Sequence, residues 1–161
     1  MNTRCKRPTP GFTIIELLVV VVLAIILGSL VALTYSGVRA KDRNTGRQNS
    51  VDSLQSKLEE YYAQNSAYPT LAQLNTPSWR TQNLRTLSKN ALHDPRWNAS
   101  NKTCTESGQP VAATQPAANC YSYQVTAADG SACDNLKAMC AHYTLTTLLE
   151  GGDRYVKTSL N

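Results

Sequence analysis

Glu16 is the single charged side chain in a run of 27 residues, Phe12 to Val38, of which 20 are apolar. An ionised carboxylate within a membrane helix costs about 2.5–3.5 kcal/mol on insertion scales unless it is paired or sits at headgroup level. A partner is available within the chain. Cleavage between Gly11 and Phe12 would place a new α-amino group four residues before Glu16, about one helical turn away. The carboxylate would then have a countercharge of its own, or serve the amine of a neighbour. The competing reading is that Glu16 lies at headgroup level and snorkels.

The cysteines offer a second chemistry. Cys104, Cys120, Cys133 and Cys140 form an even, clustered set, as in small extracytoplasmic domains stapled by disulfides that contribute about 2–4 kcal/mol each. Four cysteines allow three pairings, and proximity favours Cys104–Cys120 with Cys133–Cys140. Zinc is the competitor, but there is no CxxC pair and no nearby histidine pair. Cys5 follows Met-Asn-Thr-Arg, where a lipoprotein signal would need an apolar stretch, and is read as incidental.

Three weaker groups complete the inventory. Asp129, Asp134, Glu150 and Asp153 fall in turns near the end of the chain and are candidate calcium ligands, although they do not reproduce an EF-hand loop and acidic residues are ordinary turn formers. Trp79, Arg80, Arg85, Lys89, Arg96, Trp97 and Lys102 surround Asp94 alone, a mixture of cations and aromatics suited to DNA backbone and bases. Against that, losing Arg4, Lys6 and Arg7 with a leader would lower the net charge from +5 to +2. The histidines, His93 and His142, are isolated, and neither a Gly-rich phosphate loop nor HExxH occurs. No catalytic residue, cofactor or enzymatic activity is expected. The sequons at Asn98 and Asn101 are frequent by chance.

The elements that position these residues begin with MNTRCKRPTPG, basic and free of acids. A secretory signal would be cut after its apolar region, but the nearest small-residue site, ending at Ala40, follows too long a run. As a helix, 27 residues measure about 40 Å against a hydrocarbon core of about 30 Å, enough for a single-pass span. Arg39, Lys41, Arg43 and Arg47 balance the leader's charges, so charge does not decide the orientation. Oxidised cysteines would put the C-terminal portion outside and the N-terminus in the cytoplasm.

The stretch GFTIIELLVVVVLAIILGSLVAL closely resembles the N-terminus of type IV prepilins and pseudopilins, with its basic leader, glycine, aromatic and glutamate ahead of an unbroken apolar helix. The resemblance implies cleavage after Gly11 by a prepilin peptidase and N-methylation of Phe12. It also implies pairing of Glu16 with the terminal amine of an adjacent subunit. YYAQNSAYPTLAQL and YTLTTLLEGGDRYVKTSL resemble small pilins more loosely. One departure is Gly28-Ser29, where many members carry a proline; local melting or bending is expected there.

Val51, Leu54, Leu58 and Tyr61 or Tyr62 recur at helical spacing, so the helix should continue to about Asn65, with a bend at Asn44-Thr45-Gly46. The polar stretch from Arg39 to Ser50 reads as a solvated face. Pro69 stops the helix. Leu71 and Leu74 suggest one short turn, and Leu84, Leu87, Ala91 and Leu92 a second short helix. Residues 97–119 form a polar, Pro- and Ala-containing connector. Tyr121, Tyr123 and Val125, then Tyr143, Leu145 and Thr147, alternate as strands, and Glu150-Gly151-Gly152-Asp153 turns into a last strand, RYVKTSL.

The expected class is α+β and pilin-like, a long N-terminal helix packed on a small antiparallel sheet. The expected divisions are leader 1–11, transmembrane and assembly helix 12–38, extracytoplasmic continuation 39–66 and globular head 67–161. The function expected is a structural subunit of a type IV pilus-like surface filament, in adhesion, twitching motility or DNA uptake. It would start as a single-pass protein of the cytoplasmic membrane. Its partners would be membrane lipid, the peptidase, an assembly platform with a cytoplasmic ATPase, copies of itself and other pilins, with DNA or a cell surface beyond. The alternatives are a type II secretion pseudopilin and a membrane-tethered binding module that never polymerises.

Overall fold

A computed structural model describes residues 11–88, 91–97, 111–112, 116 and 118–161, with residues 30–34, 36 and 111–112 as backbone only. The chain divides into two compact units, Met1–Arg39 and Ala40–Asn161. Helix α1, Ile14–Asn65, contributes to both.

In the first unit α1 carries its apolar side chains uncovered, from Ile14 at 87% exposure to Val22 at 46%. Gly28 and Ser29 are helical, with no melted turn. The Ser29 hydroxyl donates to the Ile26 carbonyl at 2.7 Å, a bond that serine makes without leaving the helix. Among the described residues no helix is long and apolar enough to cross a membrane. The continuous stretch of described side chains ends at Ser29; in the sequence the apolar run continues through Leu30, Val31, Ala32 and Leu33.

The second unit begins with the rest of α1, which stays helical through Asn44-Thr45-Gly46. Asn44 is tied down there, its side-chain amide donating to the Glu150 carbonyl at 3.2 Å and its oxygen accepting from the Glu150 N–H at 2.8 Å. Val51, Leu54 and Leu58 are buried at successive turns. The helix ends before Pro69 is reached, because Ser66 adopts a left-handed φ of 57° and its N–H returns to the Tyr62 carbonyl at 2.7 Å.

Two short helices follow. In α2, Leu71–Asn75, Thr70 and Gln73 form a reciprocal capping box, and α3, Pro77–Asn83, starts with proline in its first turn. The helix expected over Leu84 to Leu92 is absent. Thr86 has φ 66°, which a right-handed helix cannot contain, and the Leu87 N–H closes a turn on the Leu84 carbonyl. Leu84, Ala91 and Leu92 are buried nevertheless. Their spacing recorded burial in a folded loop.

Strands β1 (Val111–Ala112), β2 (Tyr121–Thr126), β3 (His142–Leu148) and β4 (Arg154–Thr158) form one sheet in the order β1-β2-β3-β4. The β2, β3 and β4 ladders are antiparallel, with Tyr123 opposite Leu145 and Leu145 opposite Lys157. The two-residue β1 pairs parallel to β2, inside the segment expected to be only a connector, so the sheet is not purely antiparallel. Tyr123, Tyr143 and Leu145 meet Val51, Leu54 and Leu58 of α1 in the core, joined by Tyr68, Leu74, Leu84 and Leu92.

Tyrosine makes this core unusual and requires polar exits for its hydroxyls. Glu59 provides one, accepting from Tyr68 at 2.8 Å and from Tyr143 at 2.7 Å, and the Tyr123 hydroxyl donates to the Pro69 carbonyl at 2.7 Å. Burial, reinforced by Glu59, pushes the Tyr68 phenol up to about 12 and that of Tyr143 higher still. Cys133 and Cys140 are joined in a disulfide with Cα atoms 5.2 Å apart. Cys120 is also disulfide-bonded, and its expected partner Cys104 lies outside the described residues.

The polar stretch of α1 is not a solvated face throughout. Arg47 is 2% exposed and grips Asp94, itself 1% exposed, through Nε–Oδ2 at 2.6 Å and Nη2–Oδ1 at 3.1 Å. Burial alone would lower the Arg47 pKa, but Asp94 and Glu150 together raise it. Glu150, in the turn before β4, takes Arg43 through both oxygens, one contact at 2.6 Å, with Arg47 at 3.4 Å and Arg96 at 3.5 Å. The Arg43 hydrogen bond leads in holding the Glu150 carboxyl down to about 2.

Candidate processing and assembly site

Gly11, Phe12 and Thr13 precede α1 outside regular secondary structure, and Phe12 is 86% exposed. A Cβ added at Gly11 would meet nothing within 4 Å, so packing inside the chain does not explain a glycine there. Thr13 and Glu16 face each other across the first turn. The Glu16 N–H donates to Thr13 Oγ1 at 3.3 Å, and the Thr13 N–H points to Glu16 Oε2 at 3.5 Å.

This is a Thr-x-x-Glu capping box, which satisfies two N–H groups that helix geometry leaves without partners. A negative charge in the first turn also suits the helix dipole. The sequence carries this signal as Thr13-Ile14-Ile15-Glu16. The two roles of Glu16, capping and pairing with the Phe12 amine, are compatible in space. A cut after Gly11 leaves Thr13 in place and creates a cation next to the cap.

The other candidates are dispersed. Asp129 accepts from its own turn at Ser131, Asp134 accepts from the N–H groups of Leu136, Lys137 and Ala138, and Glu150 is engaged by arginines. Asp153 is exposed. Among the described residues no three His, Cys, Asp or Glu side chains gather to hold a metal ion.

The basic and aromatic set is likewise divided. Trp79 packs edge-on against Tyr61 at 5.2 Å, and Trp97 stacks on His93 at 4.0 Å. Arg96 leans towards Glu150 at 3.5 Å, while Arg80 donates to the Leu74 carbonyl at 2.6 Å. Arg85 is exposed. Lys89, Lys102 and both sequon asparagines lie outside the described residues. Both indoles have ring partners already, and the described residues present no row of free aromatic faces.

A capped apolar helix, its continuation packed on an antiparallel ladder of three strands, and a disulfide in the loop between two of them define a pilin-like α+β protein. The chain is similar over part of its length to pseudopilins, which are type IV pilin-like proteins. It is 35% identical over 68 residues to type II secretion system core protein G of Dickeya chrysanthemi, covering 42% of this chain and 44% of that protein. The core protein G of Aeromonas hydrophila matches equally, over 42% of this chain and 48% of its own length. The chain thus spans a little under half the length of the curated relatives it matches. No family model matches it, and no solved structure does.

Proposed function

We propose that the chain is a structural subunit of a pilus-like filament, processed after Gly11 and polymerised by packing of its apolar N-terminal helices. The observation that carries this reading is the uncovered first unit. Phe12, Ile14, Ile15, Leu17 and Leu18 are each at least 60% exposed behind a capped glutamate. Full burial of one such side chain is worth about 1.5–3 kcal/mol, so a neighbour's helix supplies a driving force that the chain's own fold does not.

In this reading the Phe12 amine, methylated after cleavage, pairs with Glu16 of an adjacent subunit. Lipid covers the apolar helix beforehand, with the N-terminus in the cytoplasm. A prepilin peptidase makes the cut, and a platform protein with its ATPase draws the helix out of the membrane. The role is mechanical and not catalytic. Its partners are copies of itself and other pilins.

The test is the intact mass of protein recovered from sheared surface filaments, with and without reduction. A mass lacking residues 1–11, with one added methyl group and four fewer hydrogens, is the expected result. Unprocessed protein found only in membranes, with free thiols, would leave a tethered module that does not assemble. A second reading, a secretion pseudopilin, is favoured by the names of both relatives. Loss of protein secretion on deletion, without surface filaments in the parent strain, would select it.

A further inference from the structure

Arg80 and Arg85 differ from Arg43, Arg47 and Arg96 in what surrounds them. Arg43, Arg47 and Arg96 each have a carboxylate within 3.5 Å. Arg80 and Arg85 instead line a pocket of about 520 Å³ together with His93, Leu84 and Leu87, and no carboxylate is among its lining residues. The pocket is built by α3, which supplies Arg80, and by the turn after it, where Thr86 at φ 66° folds the chain back. Stacking on Trp97 at 4.0 Å, with the planes 2° apart, fixes the His93 ring.

The electrostatics of this wall are one-sided. Burial lowers the pKa of Arg80, whose one hydrogen bond among the described residues goes to a neutral carbonyl. Burial and the nearby Arg80 charge both lower that of His93. Arg85 also borders an adjoining hollow that contains Glu60, but Glu60 is held by Lys57 at 2.6 Å. Cations gathered around a cavity without an acid are the complement of an oxyanion, and guanidinium groups bind planar oxyanions through paired N–H donors.

We propose that this pocket binds a phosphate or carboxylate group carried on a small organic body, with Arg80 and Arg85 lining the charged part, His93 beside them as a neutral polar ring, and Leu84 and Leu87 the apolar part. The site draws on part of the basic set expected to contact DNA, in which Trp79 and Trp97 each have one ring partner within the fold. It stands independently of filament assembly.

The test uses the full-length, nitrogen-15-labelled chain in detergent micelles, titrated with inorganic phosphate, with acetate and with chloride at matched ionic strength. The arginine Nε–H resonances are followed. The Arg80 and Arg85 signals are expected to move along saturable curves with phosphate or acetate and not with chloride, and the anion that saturates first identifies the group preferred. Arg85→Gln removes an exposed side chain with no packing role and should raise the half-saturation of the Arg80 signal by about tenfold, the order of one charge-assisted pair. Lys137→Gln, in the disulfide loop, should leave it unchanged. Shifts linear in salt and equal for all three anions would overturn the proposal, as would saturation indifferent to Arg85→Gln. Saturation seen only with a DNA oligonucleotide would overturn it in favour of backbone binding.

Discussion

The two units bury opposite kinds of residue. In the first, Ile14, Leu17 and Leu27 are more than 60% exposed and the one acid, Glu16, caps the helix. In the second, Arg47 and Asp94 are almost fully buried, and the largely leucine core includes tyrosines whose hydroxyls need partners. The second unit pairs its buried charges and the hydroxyls of its core tyrosines internally. The first satisfies its backbone but leaves its side chains for something else to cover, as a polymerising or membrane-embedded element must.

The contrast can be broken most severely at Asp94. Asp94→Ala leaves the Arg47 guanidinium buried without its carboxylate, and the expected loss is about 3–5 kcal/mol by denaturant unfolding of the second unit, followed by tyrosine near-ultraviolet circular dichroism. The double change Arg47→Met with Asp94→Leu should cost much less, because an apolar pair leaves no orphaned charge.

A matched pair of truncations compares the units directly. Leu58→Ala in the core should destabilise the second unit by about 2–5 kcal/mol. Leu18→Ala should leave that unfolding transition in place and instead lower the yield of sheared filaments. Equal effects on unfolding would erase the distinction drawn between the units.

Smaller effects sharpen it. Replacing Cys133 and Cys140 by serine opens a short loop and should cost about 2 kcal/mol by the same measurement. Thr13→Ala should cost about 1 kcal/mol, confined to the first turn of α1 and read as faster amide exchange at Glu16 and Leu17. The Glu150 carboxyl ionises at about 2 in the folded protein, below its unfolded value near 4.3. Its contribution is therefore complete above the unfolded pKa and disappears as pH falls through the folded one. Unfolding measured from pH 5 down to pH 2 should show a stability loss that Glu150→Gln reduces; an unchanged slope would mean the Arg43 pair contributes nothing.

Periodicity made much of the architecture readable in advance. Val51, Leu54 and Leu58 marked the buried stripe of α1, and the alternations at Tyr121–Val125 and Tyr143–Thr147 marked β2 and β3. The same logic misread Leu84 to Leu92, because a loop threaded through a core produces apolar spacings that resemble a helix. Charges carry no comparable signal. Nothing at Arg47 announces Asp94, 47 residues away, and a polar stretch on a helix usually is solvated. The two residues of β1 depend wholly on their partner strand. At the assembly site, Gly11, Phe12 and Glu16 stood out by type and spacing, whereas the reciprocal bond to Thr13 needed geometry to be noticed.

The convergence of Tyr68 and Tyr143 on Glu59 also gives the molecule an optical signature. Ordinary phenols ionise near pH 10, but Tyr68 waits until about 12 and Tyr143 beyond it, since burial, and then the neighbouring Glu59 carboxylate, disfavour the phenolate in the folded state. Folding therefore weakens as alkalinity rises past the ordinary value. When the second unit opens, both rings surrender their protons together. Phenolate absorbance on an alkaline ramp should rise first with the accessible rings and then in a cooperative step that coincides with unfolding, a label-free gauge of the fold that requires no engineered dye.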